Sequence, residues 1–273
     1  MSSAQAEHGG QDFGIYIYCI TRAQPEDSGA QDGPALDIAG IGGEPVRAIE
    51  YSDLAAIVSD SPFDSYDVTR EGLTAHEHVV EQVMQQADVL PVSYGTVATD
   101  DQAIQQKLLA AASDGLHQAL DLVHGRVELG VKILWEKDRL LRELATEDQS
   151  INALYDQIKG AAPEETYDER TQLGELISTG IERKRDEEAA KTMSLFQPLA
   201  VDTRVNANYT DLMVLNASFL VDKKQIPAFE AQVNDLRQQQ ADRLIVQYTG
   251  PLPPYNFVSV IVGGEDEHVE VAR

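Results

Sequence analysis

Apolar residues recur along the chain at two different spacings, which predicts a mixture of β-strands and α-helices. In RVELGVKILW (126–135), mainly polar residues alternate with five apolar ones, Val127, Leu129, Val131, Ile133 and Trp135. This alternation is typical of a strand with one buried face and one that mostly faces water. FGIYIYCI (13–20) is rich in β-branched and aromatic residues and predicts another strand.

Shorter apolar runs that end at turn residues predict the remaining strands. These runs are 46–60, which reads as two strands turning near Ser52 and Asp53, and then 89–97, 212–221 and 243–250. After residue 250 the chain bends at its prolines and then runs apolar to 262.

Helices are predicted where apolar residues recur three or four positions apart. Two capping boxes, Thr74–Glu77 and Thr99–Gln102, are predicted to open helices. Further helices are predicted at 136–159, 164–199 and 222–240. The segment 164–199 is very charged and has a narrow apolar stripe, which suggests a projecting helical hairpin with the helix before it.

The order of these elements predicts an α+β protein with two domains that divide near residue 125. The predicted parts are a flexible arm at 1–12, an N-terminal α+β domain at 13–124, a C-terminal α+β domain at 125–262 with the helical hairpin at about 137–199, and an acidic tail at 263–273. A loop rich in Gly, Pro and Asp is predicted at 21–45.

The charge of the chain restricts its partners. Asp and Glu number 46 against 21 Lys and Arg, a formal net charge of −25. Such a chain repels phosphate, which argues against direct nucleic-acid binding. The acidic residues are spread along the sequence, which favours a protein from a salt-loaded cytoplasm, because molar salt screens their repulsion. An ordinary acidic protein is the alternative.

Composition gives no sign of a membrane protein or a disulfide-bonded one. No run approaches the roughly 20 apolar residues of a membrane span, and the N-terminus lacks the pattern of a signal peptide. Cys19 is the one cysteine, so neither an intrachain disulfide nor a cysteine metal cluster is expected. We therefore expect a cytoplasmic location.

The stretch PVSYG (91–95) raises the question of a catalytic serine, because it approaches the G-x-S-x-G elbow of hydrolases. The elbow needs a glycine two residues before the serine, and Pro91 occupies that position before Ser93. The histidines downstream lie in no recognisable setting. A hydrolase that uses Ser93 is therefore kept as an alternative, and an assembly protein without enzymatic activity is favoured.

No other motif indicates a cofactor or a metal. His76 and His78 lie two residues apart and would point to different faces of a helix, whereas zinc pairs on helices are spaced by four. The glycine stretch 39–45 lacks the G-K-[ST] ending of a phosphate loop. The charged segment 164–191 could bind a partner, so a generic halophilic coiled-coil protein is a second alternative.

Three motifs in order resemble the GvpF/GvpL family of gas vesicle accessory proteins. LPVSYGTV (90–97) is similar to the family's L-P-V-R-F-G-T-V, RVELGVKILW contains its E-x-G-x-K strand, and TGPLPPYNFV (249–258) is similar to T-G-P-W-P-P-Y-x-F-V. The helix AHEHVVEQV (75–83) and the strand NASFLV (216–221) also resemble the family. The positions of this chain in the family motifs, which are candidates for interaction or structural roles, are Leu90, Pro91, Ser93, Tyr94, Gly95, Glu128, Gly130, Lys132, Gly250, Pro251, Pro253, Pro254 and Tyr255.

The chain departs from the family pattern at three of its motif positions. Ser93 stands where the family has Arg, Tyr94 where it has Phe, and Leu252 where it has Trp. Any role of that Arg in a surface contact or ion pair is therefore not carried over to this chain. The charge of −25 makes the haloarchaeal GvpL branch the expected match.

The resemblance implies a fold, a function and partners. The implied fold is an N-terminal α+β domain followed by a ferredoxin-like domain with a long helical insertion. The implied function is gas vesicle formation, in association with the small shell protein GvpA and other accessory Gvp proteins early in assembly. The resemblance leaves open whether the protein stays in the vesicle as a minor component and whether it self-associates.

Overall fold

The computed structural model describes residues 14–23, 37–63, 65–262 and 269–272. The predicted arm at 1–12, residues 24–36 of the predicted loop and most of the predicted acidic tail lie outside the described residues. The chain has the predicted mixture of helices and sheets and forms two compact units. The first consists of the described residues within Met1–Arg126 and Leu252–Arg273, and the second is Val127–Pro251.

Residues 252–262 group with the first unit, whereas the sequence analysis assigned them to the C-terminal domain. The reason is their packing. Val258 and Val260 are buried in the core of the first unit, and Val260 forms a parallel bridge with Val92.

The first unit is built on a five-stranded sheet. Its strands are β1 (Gly14–Arg22), β2 (Val46–Tyr51), β3 (Leu54–Ser61), β4 (Leu90–Pro91) and β5 (Val97–Ala98). The order is β2-β3-β1-β4, and β5 also pairs with β1. The hairpin at Ser52 and Asp53 is confirmed. The single strand predicted at 89–97 is wrong, because β4 and β5 are separated by the turn that contains Ser93–Thr96.

Helices cover both faces of this sheet. They are α1 (Arg70–Met84), α2 (Asp101–Ala103), which continues as a π-helical segment (Ile104–Ala110), and α3 (Ser113–Val123). β10 (Ser259–Val262) and β11 (Val269–Ala272) form a separate antiparallel pair.

Both predicted capping boxes are displaced from the helix starts. Thr69 caps α1 by accepting a hydrogen bond from the Gly72 amide at 3.1 Å, while Thr74 lies inside the helix and donates to the Arg70 carbonyl at 2.9 Å. Asp100, not Thr99, caps α2 through the Ala103 amide. Thr74 cannot cap α1 because the chain is already helical from Arg70, and at α2 the Asp100 carboxylate accepts the amide that the cap must satisfy.

A bulge in β1 decides which side chains face which helices. The pairing with β3 shifts between Ile17 and Cys19. As a result Tyr18 and Cys19, neighbours in sequence, both belong to the core under α1, whereas Ile17 and Ile20 belong to the core under α3. Because both faces are buried, β1 reads as a nearly continuous apolar run.

The second unit has a ferredoxin-like arrangement, as predicted. Its elements are β6 (Arg126–Trp135), α4 (Lys137–Glu147), α5 (Gln149–Ile158), α6 (Tyr167–Phe196), β7 (Asp202–Val205), β8 (Met213–Asp222), α7 (Ile226–Gln239) and β9 (Leu244–Leu252). The sheet order is β7-β8-β6-β9, so with α4–α6 as one helical layer the chain follows a βαββαβ path. Three fully buried rings, Phe196, Phe219 and Phe229, pack between the sheet and its helices.

The helix predicted at 136–159 is two helices. Asp148 separates α4 from α5 and its carboxylate accepts the Ser150 amide at 2.9 Å, which caps α5. β7 carried no strand prediction, because Asp202–Val205 is short and half of its residues are charged.

A network of ion pairs connects α4, α6 and the start of β9. Arg243 contacts Glu143 at 2.8 Å and Glu188 at 3.0 Å, and Lys184 contacts Glu143 at 3.2 Å. Burial opposes ionisation of Glu143, but the hydrogen bonds from Arg243 and Lys184 outweigh it and lower the pKa of Glu143. The carboxylate is therefore held in its charged form by two cations.

We expect Glu143→Gln to lower the free energy of unfolding by about 1 to 2 kcal/mol near neutral pH. Because the pKa of Glu143 is lowered in the folded state, its stabilisation is complete above the ordinary range of a Glu and is lost as pH falls through the lowered pKa. Denaturant titrations at neutral and acidic pH measure both effects. The matched control is Glu187→Gln, which removes an exposed carboxylate paired with Arg183; an equal loss in the control would contradict the role given to the network.

The outer edge of the second sheet is partly blocked at β7. Since Asn206 bonds Asn216 of β8 and the register pairs Arg204 with Ser218, the backbone groups of Thr203 point away from β8. The Thr203 amide donates to the Asp202 carboxylate at 2.7 Å, and Arg204 donates to the Thr203 carbonyl at 3.3 Å. Two backbone groups that could pair with a foreign strand are thus occupied by side chains of β7 itself.

We expect the double variant Asp202→Ala/Arg204→Ala to self-associate more strongly than the unchanged protein, because it exposes the edge of the sheet. Size-exclusion chromatography with light scattering measures the effect. The control, Arg183→Ala/Glu187→Ala, also removes one positive and one negative side chain, but from α6. If the β7 variant stays at the molecular mass of the unchanged protein, the edge is not what limits association.

Candidate binding site at the tyrosine–histidine cluster

Five aromatic side chains meet under the start of α1 in the first unit. We call Tyr16, Tyr18, Tyr66, His76 and Tyr94 the tyrosine–histidine cluster. Tyr16 is its centre, with ring centroids 4.8 Å from Tyr18, 5.0 Å from Tyr66 and 5.8 Å from His76. His76 is hydrogen-bonded and buried, with 3% of its surface exposed.

Hydrogen bonds run through the centre of the cluster. The Gly95 amide donates to the Tyr16 hydroxyl at 2.9 Å, and that hydroxyl lies 3.0 Å from His76 Nδ1. Burial lowers the pKa of His76 to about 4, although a hydrogen bond with the Val92 backbone opposes the shift. The ring is therefore neutral at physiological pH, so Nδ1 can accept the Tyr16 proton.

The motif LPVSYGTV wraps around this cluster. Leu90 and Pro91 are buried in β4, beside Ile20 and Cys19 of β1. Tyr94 is half-buried against His76, and Gly95 adopts φ +82°, a conformation that favours glycine. Ser93 is exposed in the turn, so the motif holds the cluster in place and leaves the position of the family's Arg on the surface.

The other two motifs begin together in the second unit. Glu128, Gly130 and Lys132 lie on β6, and a Cβ added to Gly250 would be 3.1 Å from the Glu128 carbonyl, so β9 approaches β6 closely here. Lys132 Nζ lies 5.4 Å from the Tyr209 ring. Alternation predicted that Glu128 mostly faces water, which is wrong, because only 2% of it is exposed.

The proline motif passes from one unit to the other. Gly250 adopts φ +141°, and Pro251 is the last residue of the second unit. Pro253 and Pro254 are buried in the first unit, and Tyr255 is exposed. The candidate residues therefore form one group around the tyrosine–histidine cluster and another along β6 and β9, while Pro253, Pro254 and Tyr255 follow β9 in the first unit.

An open cleft of about 700 Å³ lies beside the tyrosine–histidine cluster. Its walls are a glycine loop, the segment before α1, the first turn of α1 and the LPVSYGTV turn. The lining residues are Gly40, Ile41, Gly42, Gly43, Phe63, Ser65, Tyr66, Asp67, Thr69, Glu71, Gly72, Ala75 and Tyr94. We call this the glycine-loop cleft.

Three tyrosine hydroxyls fix the walls of the glycine-loop cleft. The Tyr18 hydroxyl accepts the Ile41 amide at 2.8 Å, Tyr66 is 2.8 Å from Ser61 Oγ, and Tyr94 donates to the Asp67 carbonyl at 3.2 Å. The Tyr94 hydroxyl would lie only 2.2 Å from a Cβ at Gly72, so a glycine is needed at this contact. The cleft is therefore formed before any ligand arrives.

A second cleft of about 670 Å³ is lined partly by Asp60, Asp100 and Asp101. These carboxylates already have partners, since Arg47 contacts Asp60 and Asp101 and Asp100 caps α2. Their role is structural.

A Ser–His–Asp arrangement occurs in the first unit, but not at Ser93. His117 Nε2 is 2.9 Å from Asp53, and Nδ1 is 3.4 Å from Ser113 Oγ and 2.7 Å from the Ser113 carbonyl. Nδ1 must donate to that carbonyl and therefore cannot take the serine proton. The bond to Asp53 raises the pKa of His117, which further opposes a role as base. Asp53 and His117 are 64 positions apart, so no local pattern could have revealed the pair.

Within 14–23, 37–63, 65–262 and 269–272, no group of three or more His, Cys, Asp or Glu side chains is arranged to hold a metal ion. None of the helices in that part of the chain combines the length and the apolar character needed to cross a bilayer.

The chain was compared with known protein families, sequences and structures. The family model for gas vesicle synthesis protein GvpL/GvpF matches residues 14–259. Gas vesicle protein F of a Streptomyces species is 29% identical, with 89% of this chain and 98% of that protein covered. Gas vesicle protein F1 of Halobacterium salinarum is 27% identical, with 87% of this chain and 92% of that protein covered. Gas vesicle protein L of the Streptomyces species is 26% identical, with 94% of this chain and 97% of that protein covered. Because F and L proteins match this chain at similar identity, the assignment to the L branch stays a prediction.

Two crystal structures share the fold. GvpF from Anabaena sp. PCC7120 superposes with a TM-score of 0.75 at 24% identity, covering 89% of this chain and 96% of that one. GvpF from Microcystis aeruginosa gives a TM-score of 0.72 at 24% identity, over 89% and 98%. Because the family match extends from β1 into β10, across both units, this chain belongs to the GvpL/GvpF family of gas vesicle synthesis proteins.

Proposed function

We propose that the chain is a non-enzymatic accessory protein that binds the shell protein GvpA and other accessory Gvp proteins early in assembly. The observation that carries this proposal is the family match over residues 14–259, which by itself gives a role in gas vesicle formation. The net charge of −25 supports the finer statement, because an acidic partner keeps a shell protein with exposed apolar surface dissolved before it polymerises. The proposed places of action are the cytoplasm and the gas vesicle.

Deletion of the gene tests the role in the cell, and capture by the tagged full-length chain in molar salt tests the partners. We expect vesicles to be lost or reduced in the deletion strain and restored by the intact gene, and we expect GvpA or accessory Gvp proteins in the captured fraction. Normal vesicles in a clean deletion, or capture of no Gvp protein, would contradict the proposal.

The Ser93→Ala variant separates the proposed function from the alternative of a serine hydrolase, which predicts loss of function in this variant. We expect Ser93→Ala to leave both vesicle formation and the melting temperature unchanged, because this exposed side chain lies in a turn held mainly by backbone contacts of Val92 and Gly95. Ser113→Ala is the control, because Ser113 is the serine that lies near a histidine, His117. Loss of vesicles with an intact fold in the Ser93 variant would restore the hydrolase hypothesis.

The coiled-coil alternative finds little support in the packing of α6. Its narrow stripe includes Leu173 and Phe196, both buried, and α6 packs against α4 and α5 of its own unit. Two of the apolar positions that a coiled coil would share with another chain are thus used within the unit.

A further inference from the structure

We propose that the glycine-loop cleft binds a cationic segment of a partner protein that places one large apolar side chain between its walls. This inference rests on the proposed function, because it assigns the binding of assembly partners to one surface of the first unit.

The apolar part of the cleft is formed by aromatic rings that remain accessible. Phe63 is 60% exposed, and its ring lies 5.7 Å from Tyr66 in an edge-on arrangement. Tyr66, Tyr94 and Ile41 are half-buried and continue this surface into the cleft. An aromatic or long aliphatic side chain that enters would cover Phe63 and remove apolar surface from water.

The charged side chains that line the cleft are acidic. Asp67 and Glu71 are exposed at its rim, none of its lining residues is Lys or Arg, and neither carboxylate forms an ion pair within the part of the chain that the structure describes. In the second cleft Asp60 and Asp101 share one cation, Arg47, and no aromatic side chain among the described residues lines the walls, so it lacks the apolar part of the glycine-loop cleft. Charge complementarity therefore selects a cationic ligand.

The shape of the cleft suits an extended chain. Gly42 and Gly43 have positive φ angles and no atom within 4 Å of the position a Cβ would occupy, so this wall is open. The opposite wall is held by the Tyr94 hydroxyl on the Asp67 carbonyl. A peptide can lie along fixed walls without reorganising them, which lowers the cost of binding.

Labelled decapeptides provide a defined probe, with fluorescence anisotropy measured on the full-length chain. One peptide has a central Phe flanked by Lys and Arg, a second replaces the Phe by Ala, and a third replaces the basic residues by Glu. We expect the first to bind best, the second to bind about tenfold more weakly and the third not to bind. We also expect the difference in affinity between the first and the third peptide to shrink in molar salt, where the Debye length falls to about 3 Å.

Variants of the cleft locate the binding. Asp67→Lys/Glu71→Lys and, separately, Phe63→Ala are each expected to weaken binding of the first peptide about tenfold. The control for the charge change is Glu81→Lys/Asp114→Lys, which alters two exposed acids outside the cleft. The control for Phe63→Ala is Val68→Ala, since Val68 is 75% exposed and does not line the cleft. Equal binding of all three peptides, or equal losses in cleft and control variants, would overturn the inference.

Capture of Gvp proteins separates this inference from the proposed function. If, in low salt, the unchanged chain captures a Gvp partner and Asp67→Lys/Glu71→Lys reduces that capture while the control does not, the cleft is the docking surface. If the cleft variant captures as much as the unchanged chain, the inference fails and the proposed function stands. A chain that captures no Gvp protein overturns the proposed function, and with it the inference that rests on it.

Discussion

Replacing Phe219 by alanine is expected to lower the free energy of unfolding of the second unit by about 3 to 5 kcal/mol, the usual cost of emptying a buried aromatic site. Phe219 lies in the middle of β8, is fully buried, and has ring centroids 5.6 Å from Phe196 and 5.3 Å from Phe229. Its removal leaves a cavity against the sheet and ends two ring contacts at once. Thermal and denaturant unfolding followed by circular dichroism measure the loss.

Two further substitutions separate burial from residue type. Phe219→Leu keeps an apolar side chain in the site and is expected to cost less than Phe219→Ala. Phe63→Ala removes the same side chain from an exposed position of the first unit and is expected to leave stability within about 0.5 kcal/mol of the unchanged protein. A small effect of Phe219→Ala would mean that the core around β8 can collapse into the space.

Acidification from about pH 6.5 to pH 4 is expected to remove roughly 3 kcal/mol of stability through His76 alone. The pKa of His76 is lowered to about 4 by burial, so over this interval the imidazole binds a proton in the unfolded chain but stays mostly neutral in the folded chain. Proton uptake favours the unfolded state, so stability falls as pH falls. The contribution of this residue becomes constant once pH is below the folded pKa.

His76→Gln isolates this contribution from that of the many carboxylates. The amide cannot take up the proton but can still accept the Tyr16 hydroxyl, so the variant is expected to lose less stability than the unchanged protein between pH 6.5 and 4. Denaturant titrations at several pH values measure the difference. His78→Gln is the matched control, since His78 is exposed two positions further along α1. Identical pH profiles of the unchanged protein and His76→Gln would show that His76 is not buried as described.

The elements that followed from the sequence are those with a local pattern. β6 alternates over ten residues, and the β2–β3 hairpin is marked by polar residues at its turn. The ferredoxin-like arrangement came from the family resemblance. β7 has no such pattern, because its four residues are stabilised by pairing with β8 and by their own side chains. β7 forms because β8 lies beside it, and a pattern within the four residues of β7 does not show that pairing.

The tyrosine–histidine cluster was inaccessible to sequence reasoning for a similar reason. Tyr16 meets His76 across 60 positions and Gly95 across 79, and no spacing rule links them. The bulge in β1 adds a further obstacle, because it places Tyr18 and Cys19 in the same core although simple alternation separates them. What the sequence offered was the LPVSYGTV motif, whose Tyr94 and Gly95 prove to be part of the cluster's surroundings.

The blocked edge of β7 has a consequence for the salt range in which the protein can stay dispersed. The net charge of −25 keeps molecules apart only over distances that ions do not screen, and in molar salt this reach falls to about 3 Å. The bond between the Thr203 amide and Asp202 spans 2.7 Å and acts within one molecule, so added ions weaken it far less. Long-range repulsion therefore opposes self-association in low salt. The occupied backbone groups of β7 oppose it in low and in molar salt.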